Sequence, residues 1–172
     1  MRPSPQEIAR RIQATIHQNV EQHGLHIQYV FADENTPSFI YTIGMTNLGA
    51  PELIMFGLPP EAVHDAINQF FQEISLQARP KDEKSISDLW SVTMLLEEVD
   101  ACVASEYTIQ CEQYFQGTGK RPKYKQMVWP DEAGKYPNQK GFNKKFEDVQ
   151  PFIGRRQPRL IDEIDDAGPS LH

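Results

Sequence analysis

Long apolar runs, cysteine pairs and, over its first two thirds, basic residues are what this sequence has least of, and each shortage narrows the field. No stretch approaches the about 18 consecutive apolar residues that a membrane-spanning helix needs, so no membrane association is expected. The opening Met-Arg-Pro-Ser-Pro leads into an amphipathic pattern and not into the apolar core of an export signal; the expected setting is the cytoplasm. Cys102 and Cys111 stand nine residues apart with no second pair. That excludes a secreted disulfide framework and a cysteine-rich zinc site, and reduced, partly buried thiols are expected. Internal repeats and low-complexity tracts are also missing, as is any metal-binding, phosphate-cradling or nucleophile motif specific enough to name a reaction.

What is present is enough for one globular domain. With 172 residues and 39% apolar content, the chain can bury about 70% of its unfolded surface. Its net charge of −7 is unevenly divided: residues 1–116 carry −10, residues 117–159 carry +7 and residues 160–172 carry −4. Local fields decide which partners are attracted, so the basic segment either pairs with the acidic parts or recruits an anion.

The most informative stretch is Phe-Ile-Tyr-Thr-Ile-Gly-Met-Thr from Phe39, a short Asn-Leu-Gly-Ala-Pro loop, then Glu-Leu-Ile-Met-Phe-Gly-Leu-Pro-Pro ending at Pro60. Two β-branched and aromatic runs around a turn containing Gly49 predict a hairpin. Gly44 and Gly57 read as lying inside its strands, where glycine marks a bulge or a close approach by backbone or ligand. On the first strand, Phe39, Tyr41, Ile43 and Met45 are expected on one face, and Ile40, Thr42, Gly44 and Thr46 on the other. The second face offers polar handles beside a glycine-sized gap.

Ser4-Pro5-Gln6-Glu7 is a capping box with proline at the first helical position, and Ile8, Ile12, Ile16 and Val20 form one stripe, which predicts a helix ending near Gly24. A strand is expected over His26–Ala32, and a helix opens at Pro59-Pro60-Glu61 with Val63, Ala66, Ile67, Phe70, Phe71 and Ile74 inward. A polar connection over Gln77–Ser87, a strand over Val92–Val99, a helix over Ser105–Gln116 and a strand over Tyr124–Trp129 follow. The expected fold is therefore α+β: one domain over residues 1–152, a mainly antiparallel sheet of about five strands packed against two or three helices on one side. Residues 153–172 read as a polar, acidic, loosely ordered tail.

Catalytic arrangements fail one by one. His23 and His26 fall at a turn into a strand, where two imidazoles need not converge, so no metal ligands are expected. Glu97, Glu98 and Asp100 point to alternating faces of a strand end and do not make an acid/base pair by spacing. At Gly57-Leu58-Pro59-Pro60-Glu61 two prolines remove backbone donors and Glu61 occupies the positive helix end, which argues against a phosphate cradle. The basic segment is the better anion site. Lys120, Arg121, Lys123 and Lys125 lead into Trp129, and Lys135, Lys140, Lys144 and Lys145 alternate with Tyr136, Phe142 and Phe146.

Three blocks together, Phe-Ile-Tyr-Thr-Ile-Gly-Met at 39–45, Pro-Glu-Leu-Ile-Met-Phe-Gly-Leu at 51–58 and Gln-Met-Val-Trp-Pro-Asp-Glu-Ala-Gly-Lys-Tyr-Pro at 126–137, resemble the bacterial domain-of-unknown-function family 4262, over a region from about Gly24 to Phe152. The resemblance implies a small cytoplasmic bacterial domain with no agreed activity. It also implies an aromatic residue after the last block, where this chain has Asn138.

The reading that results is a non-catalytic domain binding a protein partner, including the toxin-neutralising kind. Its candidate surfaces are the Gly44 face (Thr42, Gly44) with the adjacent Tyr41, and the corner Trp129, Asp131 and Tyr136. The alternative is an enzyme or sensor holding a nucleotide, a flavin or another anion between the hairpin and the basic segment, from which Lys123 and Lys125 are candidate binding residues. Single-stranded nucleic acid binding by residues 117–159 is a further alternative, disfavoured by the acidity of the rest of the chain. No cofactor is assigned.

Overall fold

The computed structural model describes residues 1–77 and 93–155. Helix α1 (Pro5–His23) starts as its sequence dictates: Ser4 Oγ accepts the Glu7 N–H at 3.2 Å, and the Glu7 carboxylate accepts the Ser4 N–H at 3.1 Å. Gly24, at φ 78°, closes its C-terminus in the left-handed conformation that glycine adopts at no steric cost. Ser4→Ala is expected to lower stability by about 1 kcal/mol, read from the urea midpoint, because an orphan donor loses its acceptor.

Strands β1 (His26–Val30), β2 (Phe39–Ile43), β3 (Glu52–Phe56), β4 (Leu95–Val99) and β5 (Tyr124–Val128) form one sheet in the order β1-β2-β3-β5-β4. All neighbours are antiparallel except β3 and β5, where Glu52 stands opposite Tyr124. The α+β fold with a mainly antiparallel five-stranded sheet is therefore what the chain adopts, with one parallel pair.

The expectation of helices on one side is corrected. Helices α1, α3 (Ala101–Tyr107) and α4 (Ile109–Phe115) cover the face carrying Phe39, Tyr41, Ile43, Ile54 and Phe56, while α2 (Pro60–Gln77) covers Ile40, Leu53, Met55 and Met127 on the other. Every residue of β2, β3 and β5 is buried. An uninterrupted apolar run such as Leu53–Phe56 is what a doubly covered strand needs, in contrast to the polar alternation of a half-exposed one. Fully burying a side chain such as Ile54 contributes about 2 kcal/mol.

Gly44 and Gly57 lie just past the ends of β2 and β3, not inside them. Gly44, at φ 127°, begins a 3-10 turn over Met45–Leu48, so Met45 leaves the strand alternation and joins the core of the α2 face. The single helix expected over Ser105–Gln116 is two, broken at Thr108, whose hydroxyl turns back onto the Ala104 carbonyl at 2.9 Å and competes with the helical ladder. At the far end, Gln126 in β5 anchors the chain leaving the domain: its amide donates to the Pro151 carbonyl at 2.7 Å, and its Oε1 accepts the N–H of Ile153 at 2.9 Å and of Gly154 at 3.2 Å. The rest of the expected acidic tail, most of the polar connection after Gln77, and Val92 lie outside the described residues. Among those that are described, no helix is long and apolar enough to cross a membrane.

Candidate functional site

The polar centre of the molecule is Glu52, the first residue of β3 and fully buried. Its Oε1 accepts the backbone N–H of Gly44 at 3.0 Å, that of Thr46 at 2.9 Å and the Thr46 hydroxyl at 2.7 Å; its Oε2 accepts the Thr42 hydroxyl at 2.6 Å. Thr42 Oγ1 in turn accepts the Leu53 N–H at 2.9 Å. One carboxyl thus satisfies donors of the β2–β3 turn that would otherwise be left without partners. Burial pushes this carboxyl above the ordinary carboxylate range, against the pull of the Thr42 and Thr46 hydrogen bonds. Nearby, burial and the Glu52 charge raise the Cys111 thiol. The Tyr124 hydroxyl, also raised by burial, donates to Glu112 Oε1 at 2.5 Å.

Directly outside this network runs a groove of about 590 Å³. Thr46 and the segment Gly49–Pro51 form one wall, residues 121–125 another, and Glu98, Val99 and Ala101 with Arg155 the third. Arg121, Lys123, Lys125 and Arg155 line it together with the carboxylate of Glu98. Arg155 is held by two carboxylates, with Nε at 2.9 Å and Nη2 at 2.7 Å from Asp100 Oδ1, and Nη1 at 3.5 Å from Glu98. Arg121 and Lys123 are exposed and make no ion pair among the described residues. At the rim, Lys120 Nζ donates to Asn47 Oδ1 at 2.7 Å and ties the loop before β5 to the 3-10 turn.

The residues singled out from the sequence fall into three places. Tyr41 and Thr42 are fully buried, Tyr41 donating to Gln110 Oε1, and Gly44 is buried between the turn and Gly24. The corner is built separately: Trp129 Nε1 donates to the Phe56 carbonyl at 2.9 Å, and Tyr136 donates to the Thr93 carbonyl at 2.7 Å. Asp131 accepts the N–H groups of Ala133, Lys135 and Asn143 at 2.8 to 2.9 Å. Its partial desolvation would raise that carboxyl, but these backbone donors outweigh it and hold it below the usual range. Only Lys123 and Lys125 reach the groove, where Lys125 is 7% exposed and Lys123 stands in solvent. Asn138, where the resemblance implied an aromatic, reaches Glu97 at 3.3 Å. Sequence reasoning missed Glu52 and Arg155, and placed Thr46 only as a polar handle on the Gly44 face. A lone acid in an apolar strand was a signal for Glu52; nothing in the sequence linked Arg155 to residues 30 or more positions away.

Three histidines, His23, His26 and His64, line a second hollow, of about 600 Å³, between α1, β1 and α2. His26 Nδ1 lies 2.9 Å from the Asn19 amide nitrogen and Nε2 lies 3.3 Å from Gln28 Oε1, and burial lowers its pKa against the pull of the Gln28 hydrogen bond. Among the described residues no group of three or more His, Cys, Asp or Glu side chains is placed to hold a metal ion. Cys102 is exposed, Cys111 is buried, and both are free thiols.

Residues 19–143 match the family described as a domain of unknown function (DUF4262), and the chain belongs to that family. No curated protein and no solved structure matches it.

Proposed function

We propose that this member of the DUF4262 family is a binding domain for a small anionic ligand of nucleotide size, held in the groove between the 3-10 turn and the start of β5. One observation carries the reading: Arg121 and Lys123, exposed and with no ion pair among the described residues, line a concave site whose volume falls in the range of small-molecule pockets, about 300–1,000 Å³. The groove walls are short, and Pro51, Pro122, Val99 and Ala101 supply apolar contact beside the charges. The arrangement suits a compact anion with a flat or apolar part. No serine, cysteine or histidine is among the described lining residues, and the role assigned is binding without a chemical step. A cytoplasmic setting fits the two free thiols.

A protein partner, including a toxin to be neutralised, is the second reading. It is favoured by Phe31, which is 80% exposed and packs edge-on against Tyr29 beside the sheet-edge strand β1. The test that separates the two is native mass spectrometry of freshly purified protein, followed by calorimetric titration with ADP. The proposal expects a retained nucleotide-sized anion or saturable ADP binding, weakened at least about tenfold by Lys123→Glu, a loss of about 1.4 kcal/mol. A stoichiometric protein adduct with no response to ADP would favour the second reading and sink the first.

A further inference from the structure

Behind the groove wall stands a buried carboxyl that accepts, among the described residues, from hydroxyl and backbone N–H donors. Thr46 belongs to both places: it lines the groove, and its hydroxyl and N–H both donate to Glu52 Oε1. The backbone is shared as well, since the Glu52 N–H donates to the Lys123 carbonyl at 2.8 Å, and Lys123 is a groove cation. An anion bound beside Thr46 is therefore separated from Glu52 by one threonine side chain, in protein and not in bulk water, where unit charges are weakly screened.

We infer, resting on the anion-binding reading of the groove, that ligand binding there is coupled to the charge of Glu52: an anion enters more tightly when this carboxyl is protonated, and its binding takes up a proton. The geometry decides the sign. A second negative charge close to an ionised Glu52 is repelled, whereas a neutral Glu52 leaves the field of Arg121 and Lys123 unopposed. Glu52 is a positioning residue in this account; it touches the turn and not the ligand.

The groups around Glu52 leave it as the one that can titrate. From β2 comes Thr42, from the turn Thr46, from α4 the thiol of Cys111 and from β5 the phenol of Tyr124. The two hydroxyls do not ionise, and burial raises the thiol and the phenol, so both keep their protons. Glu112 meets the network only through the Tyr124 hydroxyl. On the far side of the groove, Glu98 is exposed and engaged with Arg155, and no histidine is among the lining residues.

The test uses the full chain and inorganic sulfate, whose charge is constant over the range. Titrations over the pH range in which the protein stays folded are expected to show binding that tightens toward the acid side, about tenfold between the two ends, and Glu52→Gln should bind at the alkaline end as the parent does at the acid end, with its own pH dependence reduced below about twofold. Should the variant fail to fold, calorimetry of the parent in two buffers of different ionisation enthalpy reads the same linkage, as net proton uptake on binding. Sulfate binding with equal affinity at every pH and no proton uptake would overturn the coupling while leaving the groove reading intact. No binding of sulfate or ADP at any pH would overturn the groove reading itself, and the coupling with it.

Discussion

Glu52→Ala is expected to destabilise the protein by about 3–5 kcal/mol, because it strips the acceptor from four donors at once. The N–H of Gly44, the N–H and hydroxyl of Thr46 and the hydroxyl of Thr42 all end on this carboxylate, and Gly44 and Thr42 are fully enclosed. Removing a partner costs more than the bond it made, since each stranded donor is desolvated with nothing in return. Glu52→Gln separates charge from hydrogen bonding. Its carbonyl oxygen can keep the three donors on the Oε1 side, and its amide can donate to Thr42 Oγ1, so a loss of about 1 kcal/mol is expected near neutrality. The difference between parent and Gln variant depends on pH with a definite sign. Because burial raises the folded-state pKa of Glu52, the protonated form is favoured in the fold. That contribution is present below the unfolded pKa and is lost as pH rises through the folded one, so the cost of Glu52→Gln should shrink with increasing pH. Denaturant midpoints at acid and alkaline pH check this; a cost that grows with pH would mean that the carboxylate, and not the acid, is the form the fold prefers.

Gly44→Ala is expected to cost about 2–6 kcal/mol, from two separate causes. At φ 127° an L side chain is strained by about 1–3 kcal/mol, and a methyl group there would press into the carbonyl oxygen of Gly24, a backbone atom that cannot rotate away, adding about 1–3 kcal/mol more. Gly24 closes α1, so the close approach fixes the end of the first helix against the β2–β3 turn. Gly49 is the control: it also has positive φ, at 73°, but nothing lies within 4 Å of where its Cβ would be. Gly49→Ala should therefore cost only the conformational part, about 1–3 kcal/mol. Equal losses at the two positions, measured by thermal unfolding, would show that the contact with Gly24 contributes nothing.

Local signals carried most of the fold. The capping box at Ser4 and Glu7, the stripe Ile12-Ile16-Val20 and the two runs flanking Gly49 each specify an element from neighbours in the chain, and each element is where those neighbours put it. The errors came where tertiary contact decides. Nothing local distinguishes a strand covered on one face from one covered on both when its polar residue is a threonine. Thr42 read as an exposed handle, yet its hydroxyl is the internal link between Glu52 and the Leu53 N–H. Thr108 breaks a helix that propensity would continue. The groove was half visible, because the basic cluster around Lys123 stands out against an acidic chain, but its walls come from the turn at Thr46, the β4–α3 junction at Glu98 and a late arginine at 155. Only the sheet order, with β5 inserted between β3 and β4, brings those together.

The central claim is that the groove between Thr46, Lys123 and Arg155 holds a small anion, and the most direct measurement is an NMR titration of the isotopically labelled full chain with ADP, following every backbone amide. The account predicts saturable shifts concentrated at residues 46–51, 98–101 and 121–125, lost in Lys123→Glu, with the amides around Trp129 and Phe31 unmoved. Shifts that cluster at Phe31 and β1, or a spectrum unchanged at saturating ADP, would contradict it.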